Sequence, residues 1–404
     1  MLRPMPTKTI ELIYFNAGGG HRAAATAIEA IAAQQGRPWH VRCVNLIEVL
    51  DPQSRFRKLT GVAPEELYNM RLAKGWTLGL GQELKLLQGM IRLGHTTMVK
   101  RLGQHWLRAE PDMVVSVVPN FNRAMHDSLA AALPGVPYVT VLTDMADHPP
   151  NFWIEPGLRQ HVVCGTPRAV AQAREQGCAE SHIHRTSGMI LRPDFYQPVA
   201  LDRRLEQARL GLDPERPTGF VMFGGHGSAA MRDIAQQLGD VQLILMCGHN
   251  AALAKKLRAM KSGAAHAVIG FTPEVQRYMR LADFFIGKPG PASLSEAVQQ
   301  GLPIVTVRNA WTMPQERYNT EWVRDNHLGI VGRSMGNLRP AVVELLARLD
   351  EFKRNVRQMD NQAIFEVPEI LARIFAMNET PAPWQSGAFP WAAEGSPAVR
   401  RPQR

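Results

Sequence analysis

The chain is short of several things that would fix its class at once. Only four of its 404 residues are cysteine, too few for a disulfide scaffold, and none has metal-ligand spacing. Cys43, Cys164 and Cys247 lie in or at the end of apolar, strand-like runs, as expected of buried thiols in a reducing compartment. No apolar run approaches the ~18 residues that span a bilayer. The first apolar segment is short, contains Glu11 and runs into a glycine loop, so no secretory leader is expected. No repeat recurs at solenoid periods. The basic residues are not interleaved with aromatics, which argues against a nucleic-acid partner. What remains is a cytosolic globular chain, 45% hydrophobic and 20% charged, long enough for two domains.

Charge is present but uneven. Basic residues outnumber acidic ones by 46 to 36, and between Arg55 and Arg108 ten Lys/Arg stand against three Glu. An anionic membrane surface or a solvated basic face accounts for such a segment. Within it Leu80, Leu84, Leu87 and Ile91 recur at helical spacing, as do Met98, Leu102 and Trp106. That stripe faces either a core or a lipid surface.

Strand-like and helical stretches alternate along the chain. "TIELIYF", "HVRCVNLI", "DMVVSVV", "PYVTVLT" and "QHVVCG" are continuous apolar runs, as parallel strands buried on both faces require. After a junction near residues 192–200 the alternation restarts with "GFVMFGG", "VQLILMCG", "HAVIG", "DFFIGKPG" and "PIVTV". Two doubly wound α/β domains are therefore expected, residues 1–195 and 196–376. The Pro-, Gly- and Ala-rich residues 377–404 are expected to be a disordered tail. In such sheets ligands bind at the carboxyl ends of strands, so chemistry belongs in the strand-to-helix loops.

Five loops carry it. "NAGGGHRAAATAI" places Gly20 and His21 where a strand gives way to a helix. Gly18-x-Gly20-x-x-Ala23 formally fits the dinucleotide fingerprint. That fingerprint wants an acid closing the second strand, where this chain has Asn45, with Glu48 a few residues on. The positive helix end would lower the His21 pKa and keep its imidazole ready to accept a proton. In "VLTDMADHPPNFW", Asp144 and His148 follow a strand, and Asp144 either orients an imidazole or makes turn hydrogen bonds. "FGGHGS", with Gly225, His226 and Ser228, is a second candidate phosphate cradle. In "GKPGPASLSEA", Ser293 and Glu296 have capping-box spacing, or else Gly290 and Ser293 meet a pyrophosphate while Glu296 holds ribose hydroxyls. "WTMPQERYN" offers Gln315, Glu316 and Asn319 to sugar hydroxyls, or to solvent at a helix start. No Asp-x-Asp metal motif stands near these loops.

Taken in order, these motifs with "GMILRPDF", "CGHNAAL" and "VIGFTPEVQRYMRLADFF" resemble glycosyltransferase family 28 over roughly residues 8–335. The nearest branch is that of the monogalactosyldiacylglycerol synthases and bacterial diacylglycerol glucosyltransferases. The resemblance implies a GT-B fold, a UDP-sugar donor, inversion at the anomeric carbon, no cofactor or metal, and a membrane-lipid acceptor reached from the inner face of the cell membrane. By position it implies that Glu296 holds the ribose and that the backbone of Phe271 shapes the uracil pocket. Gly225, Gly290 and Ser293 would meet the pyrophosphate, and Gln315 and Glu316 the sugar. His21 would be the base, near Asp144 and His148. Pro291 and Pro314 stand where members carry glycine. Two other activities fit the same motifs, transfer of N-acetylglucosamine to a polyprenyl-linked precursor and UDP-sugar epimerisation.

Overall fold

The computed structural model describes residues 7–16, 19–54, 57, 58, 61 and 80–379. Of the expected tail 377–404, residues 377–379 belong to the last helix and the rest, like much of the basic segment before residue 80, lies outside the described residues. Two parallel six-stranded sheets form the molecule. The first comprises β1 (Lys8–Tyr14), β2 (Trp39–Asn45), β3 (Met113–Ser116), β4 (Tyr138–Val141), β5 (His161–Cys164) and β6 (Ile183–Arg185), ordered β2-β1-β3-β4-β5-β6. The second comprises β7 (Thr218–Met222), β8 (Gln242–Met246), β9 (His266–Ile269), β10 (Phe284–Gly287), β11 (Ile304–Val307) and β12 (Gly329–Gly332), ordered β12-β11-β10-β7-β8-β9. Central strands β3, β4, β7, β8, β10 and β11 are buried at every position, because helices cover both faces.

The helix Gly20–Gln34 buries Ala24, Ala27, Ile28 and Ile31, and the last three pack with residues of β1 and β3. Of the expected stripe, Leu102 and Trp106 are wholly buried, and Met98 and Leu84 pack on the first half's cores. That stripe therefore faces the core in the main; Leu87 stays exposed, and the Leu80 side chain lies outside the described residues. The four cysteines are free thiols, and burial pushes Cys43 and Cys164 up to about 12.

The halves are tied together at two crossings. Phe195 already belongs to the second core, whereas the last helix, Ala363–Glu379, returns to the first. There Ile364, Val367, Ile370 and Ile374 meet Ile10, Leu12 and Ile28. At the crossing the Asn361 amide donates to the carbonyl of Met189 (2.9 Å), and the Ser187 hydroxyl accepts from the Gln362 N–H (2.7 Å). Gly188 is required here, since a Cβ would stand 2.6 Å from Asn361 Cγ. Met145, from the loop after β4, packs into the second core. No helix among the described residues is long and apolar enough to cross a membrane.

Candidate functional site

Strand order reverses between β1 and β3 in one sheet and between β7 and β10 in the other. Loops after those strands line the crevice where such sheets bind ligands. At the first reversal Gly19, with φ of 78°, is the N-cap of the helix Gly20–Gln34 and supplies no side-chain cap. The first helical amides thus lack an intrahelical partner. Gly20 is exposed, and His21 follows it. His21 Nδ1 lies 3.1 Å from the Thr143 hydroxyl, and its ring is 6.0 Å from that of Trp153. Its pKa is lowered to about 4, and the cause is burial; a hydrogen bond to the Val117 backbone opposes it. The imidazole is neutral at pH 7 and able to take a proton.

The Asp144 carboxylate does not bond His21 but accepts the Trp153 indole N–H at 2.9 Å. Trp153 thus stands between the two. Burial pushes Asp144 up to about 7; Trp153 and Lys288 pull it down, and Glu316 pushes it up from across the crevice. The local turn bonds that sequence reasoning considered for Asp144 fall instead to Asp147. Buried Asp147 accepts from the N–H groups of Asn151, Phe152 and Trp153 at 3.1, 2.9 and 2.6 Å, fixing the loop that presents Trp153. His148 lies apart from His21's partners, half-buried amid the charges of Arg317, Glu321, Arg168 and Arg308, and burial lowers its pKa.

On the second half, the loop after β7 exposes Gly225 and His226. It is braced from the next loop, where the His249 N–H donates to the Gly225 carbonyl at 2.9 Å. Gly248 permits this approach, since a Cβ there would stand 2.1 Å from that carbonyl oxygen. Ser228 Oγ accepts from the Ala230 N–H at 3.3 Å, a turn role. The Phe271 ring is 62% exposed and stacks on His249 at 3.9 Å between centroids. His249 and Phe271 together make a flat aromatic surface at the rim.

After β10 the helix Pro291–Gln299 begins with Gly290 as N-cap and no side-chain cap bond. Pro291 sets the first helical φ, so Ser293 is the third helical residue and Glu296 the sixth. The capping box that their spacing allowed does not form. Glu296 is left half-buried and pushed up to about 7 by burial, with Arg192 opposing. Lys288 Nζ and Glu316 Oε1 pair at 3.1 Å. Asn319 is wholly buried, and its amide donates to the Pro289 carbonyl at 2.7 Å. That anchors the Lys288–Gly290 loop, and the Asn319 Oδ1 is left buried without a hydrogen-bond partner among the described residues. Gln315 is half-buried beside Met313.

The structure brings His21, Trp153 and Asp144 to one wall and Lys288, Glu316, Gly290 and Ser293 to the other. Thr143, Trp153, Asp147, Lys288 and His249 were not singled out from sequence. All but His249 lie in loops whose chemistry was visible, but their roles depend on contacts between loops.

Residues 220–374 match the glycosyltransferase family 28 C-terminal domain. The chain is 27% identical over 351 residues to a probable chloroplastic monogalactosyldiacylglycerol synthase of Glycine max, covering 83% of this chain and 65% of that protein. It is 26% identical over 355 residues to monogalactosyldiacylglycerol synthase 1 of Arabidopsis thaliana, covering 83% and 64%. The chain thus spans somewhat less than two thirds of the length of these relatives. Among solved structures it superposes on CalG4, the calicheamicin glycosyltransferase, with a TM-score of 0.60 at 15% identity, over 93% of this chain and 98% of that one. The fold is GT-B, as the motifs implied, and the resemblance to family 28 holds.

Proposed function

From a chain whose residues 220–374 form a glycosyltransferase family 28 C-terminal domain, we propose an inverting transfer of a hexose from a UDP-sugar to a hydroxyl of a membrane lipid such as diacylglycerol. The observation that carries it is the pairing of chemistries across one crevice. A neutral, held imidazole at His21 faces an uncapped helix start at Gly290 beside the Lys288–Glu316 pair, and Asp144 feels both charges.

His21 removes the proton of the acceptor hydroxyl, whose oxygen attacks the anomeric carbon as the bond to UDP breaks. Charge appearing on the departing diphosphate is met by the amides at the start of the helix Pro291–Gln299, by the Gly225–Ser228 loop and by Lys288. Once Lys288 turns to the diphosphate, Glu316 is released to accept from sugar hydroxyls, with Gln315 beside it. Glu296 takes the ribose hydroxyls, and the aromatic surface of Phe271 and His249 lies against the base. Trp153, held by Asp144, is a positioning residue for His21. No metal is assigned to this step. The basic segment 55–108 and the exposed side chains of the helix Leu80–Leu93 are assigned to an anionic membrane surface.

Incubation with labelled UDP-galactose, UDP-glucose and UDP-N-acetylglucosamine in the presence of a lipid extract tests this. A labelled glycolipid is expected from one of the hexose donors. Consumption of UDP-N-acetylglucosamine without acceptor, giving an epimer, would replace transfer with isomerisation.

A further inference from the structure

Three other histidines of the first half meet a carboxylate. His105 Nε2 lies 2.7 Å from Glu11, and His95 Nε2 and His126 Nδ1 each lie 3.2 Å from Asp127. His21 is held differently. Its Nδ1 lies 3.1 Å from the hydroxyl of half-buried Thr143. The next residue, Asp144, has a carboxylate to offer, but that group accepts the Trp153 indole N–H at 2.9 Å instead. The loop after β4 thus grips the imidazole twice, directly through Thr143 and, by way of the Trp153 ring, through Asp144.

A neutral imidazole has one N–H and one bare nitrogen, and its hydrogen-bond partners decide which is which. A hydroxyl can donate or accept, so the contact with Thr143 is compatible with both tautomers, and the base role separates them. Were Thr143 to donate to Nδ1, the ring hydrogen would sit on Nε2 and no lone pair would remain for an acceptor. With the Nδ1–H donating to Thr143 Oγ1, Nε2 is bare and can take the proton of the lipid hydroxyl as its oxygen attacks. The rival for the ring hydrogen is the Val117 backbone, which also bonds the imidazole.

The energetics suit a hydroxyl at this place. Once Nε2 has taken the proton the ring is a cation, still donating from Nδ1 to the same oxygen. Hydrogen bonds from charged groups are stronger than those between neutral ones. Thr143 therefore favours the ring more during transfer than before it, which is how an interaction raises turnover. A carboxylate in its place would favour the cation further, but it would also lift the imidazole pKa and leave part of the base protonated at neutral pH. The hydroxyl avoids that, in keeping with a His21 pKa of about 4.

We propose that Thr143 is a positioning residue for the base, whose hydroxyl accepts from His21 Nδ1–H and so reserves Nε2 for the proton of the lipid hydroxyl. It rests on the reading of His21 as the base and adds which nitrogen reacts and what fixes it. Nuclear magnetic resonance of protein labelled with heavy nitrogen at histidine reads the tautomer directly, with His21→Gln identifying the signals. The wild type should carry the hydrogen on Nδ1 at pH 7. Thr143→Val keeps the shape and loses the hydroxyl, and it should move the hydrogen partly to Nε2. With dioctanoylglycerol in mixed micelles as acceptor, Thr143→Val should lower kcat about tenfold. UDP affinity and melting temperature should stay at wild-type values, and Thr143→Ser should restore most of the loss. A hydrogen on Nε2 in the wild type, drawn there by Val117, overturns the assignment and leaves lipid transfer standing. So does a Thr143→Val protein with wild-type kcat, or one whose kcat falls while the His21 signals stay in place. Failure of the wild-type protein to glycosylate any lipid overturns the transfer proposal itself, whatever the spectra show, and the role of Thr143 with it.

Discussion

Both halves put an uncapped helix start at the point where strand order reverses, yet they fill the space in front of it differently. In the first half Gly19 precedes His21, whose neighbours are a threonine hydroxyl, a tryptophan ring and a backbone carbonyl. Among the described residues no ionised group touches that imidazole, and burial keeps it neutral. In the second half Gly290 precedes a helix start flanked by Lys288, Glu316 and Glu296. One backbone device thus serves two purposes. Where the surroundings are uncharged it holds a proton acceptor, and where they are charged it can meet an anion.

The largest effect should come from the uncharged side. His21→Ala is expected to lower kcat by roughly 10³-fold, within the span of general-base contributions, while UDP affinity measured by calorimetry stays near wild type. Near-normal turnover would mean that both helix starts serve the donor and that the contrast is false. Lys288→Met should weaken donor binding as well as turnover. It removes the cation proposed to meet the diphosphate and leaves Glu316, which is 5% exposed, without its partner. UDP affinity and kcat should both fall, kcat by about 10²-fold.

Titration sharpens the picture of the first wall, because two of its buried groups respond to pH with opposite signs. His21 is lowered to about 4 in the folded protein from an ordinary value near 6.5. Between those values the unfolded chain binds the proton and the native one does not, so this group makes stability rise with pH. Asp144 is raised to about 7 from 3.8. Across that window the native protein binds the proton and the unfolded chain does not, so stability falls as pH rises. Asp144→Asn keeps an oxygen for the Trp153 indole and removes the ionisation. Its melting temperature, relative to wild type, should gain steadily from pH 4 to 7 and level off above. A constant difference across that range would show that Asp144 does not titrate there.

Much of this frame is legible in the residues, for a reason that differs between fold and site. A parallel strand covered on both faces reads as an unbroken apolar run, so "GFVMFGG" or "DFFIGKPG" can hardly be missed. Edge strands β6 and β12 escape because each has one neighbour and a mostly half-exposed pattern, in "IHR" and "GIVG". The last helix carries apolar residues enough for either core, and nothing local says that it returns to the first. In the site, His21 and Asp144 announce themselves by following strands. Trp153 does not, because its place between them depends on Asp147 folding the "HPPNFW" stretch back on itself.

The smallest effect concerns a residue whose spacing alone admits two explanations. Ser293 and Glu296 stand three apart before an apolar run, which is how a capping box is written. Were Ser293 the N-cap, Ser293→Ala would cost about 0.5–2 kcal/mol of stability. Pro291 starts the helix two residues earlier, so the Ser293 side chain is not at the cap and the change should stay within about 0.5 kcal/mol. Its consequence should appear instead in the donor KM, raised a few-fold by loss of one hydroxyl near the diphosphate. Urea melts and donor kinetics on the same variant separate the two. A loss of stability with an unchanged KM would return Ser293 to the helix and take it from the ligand.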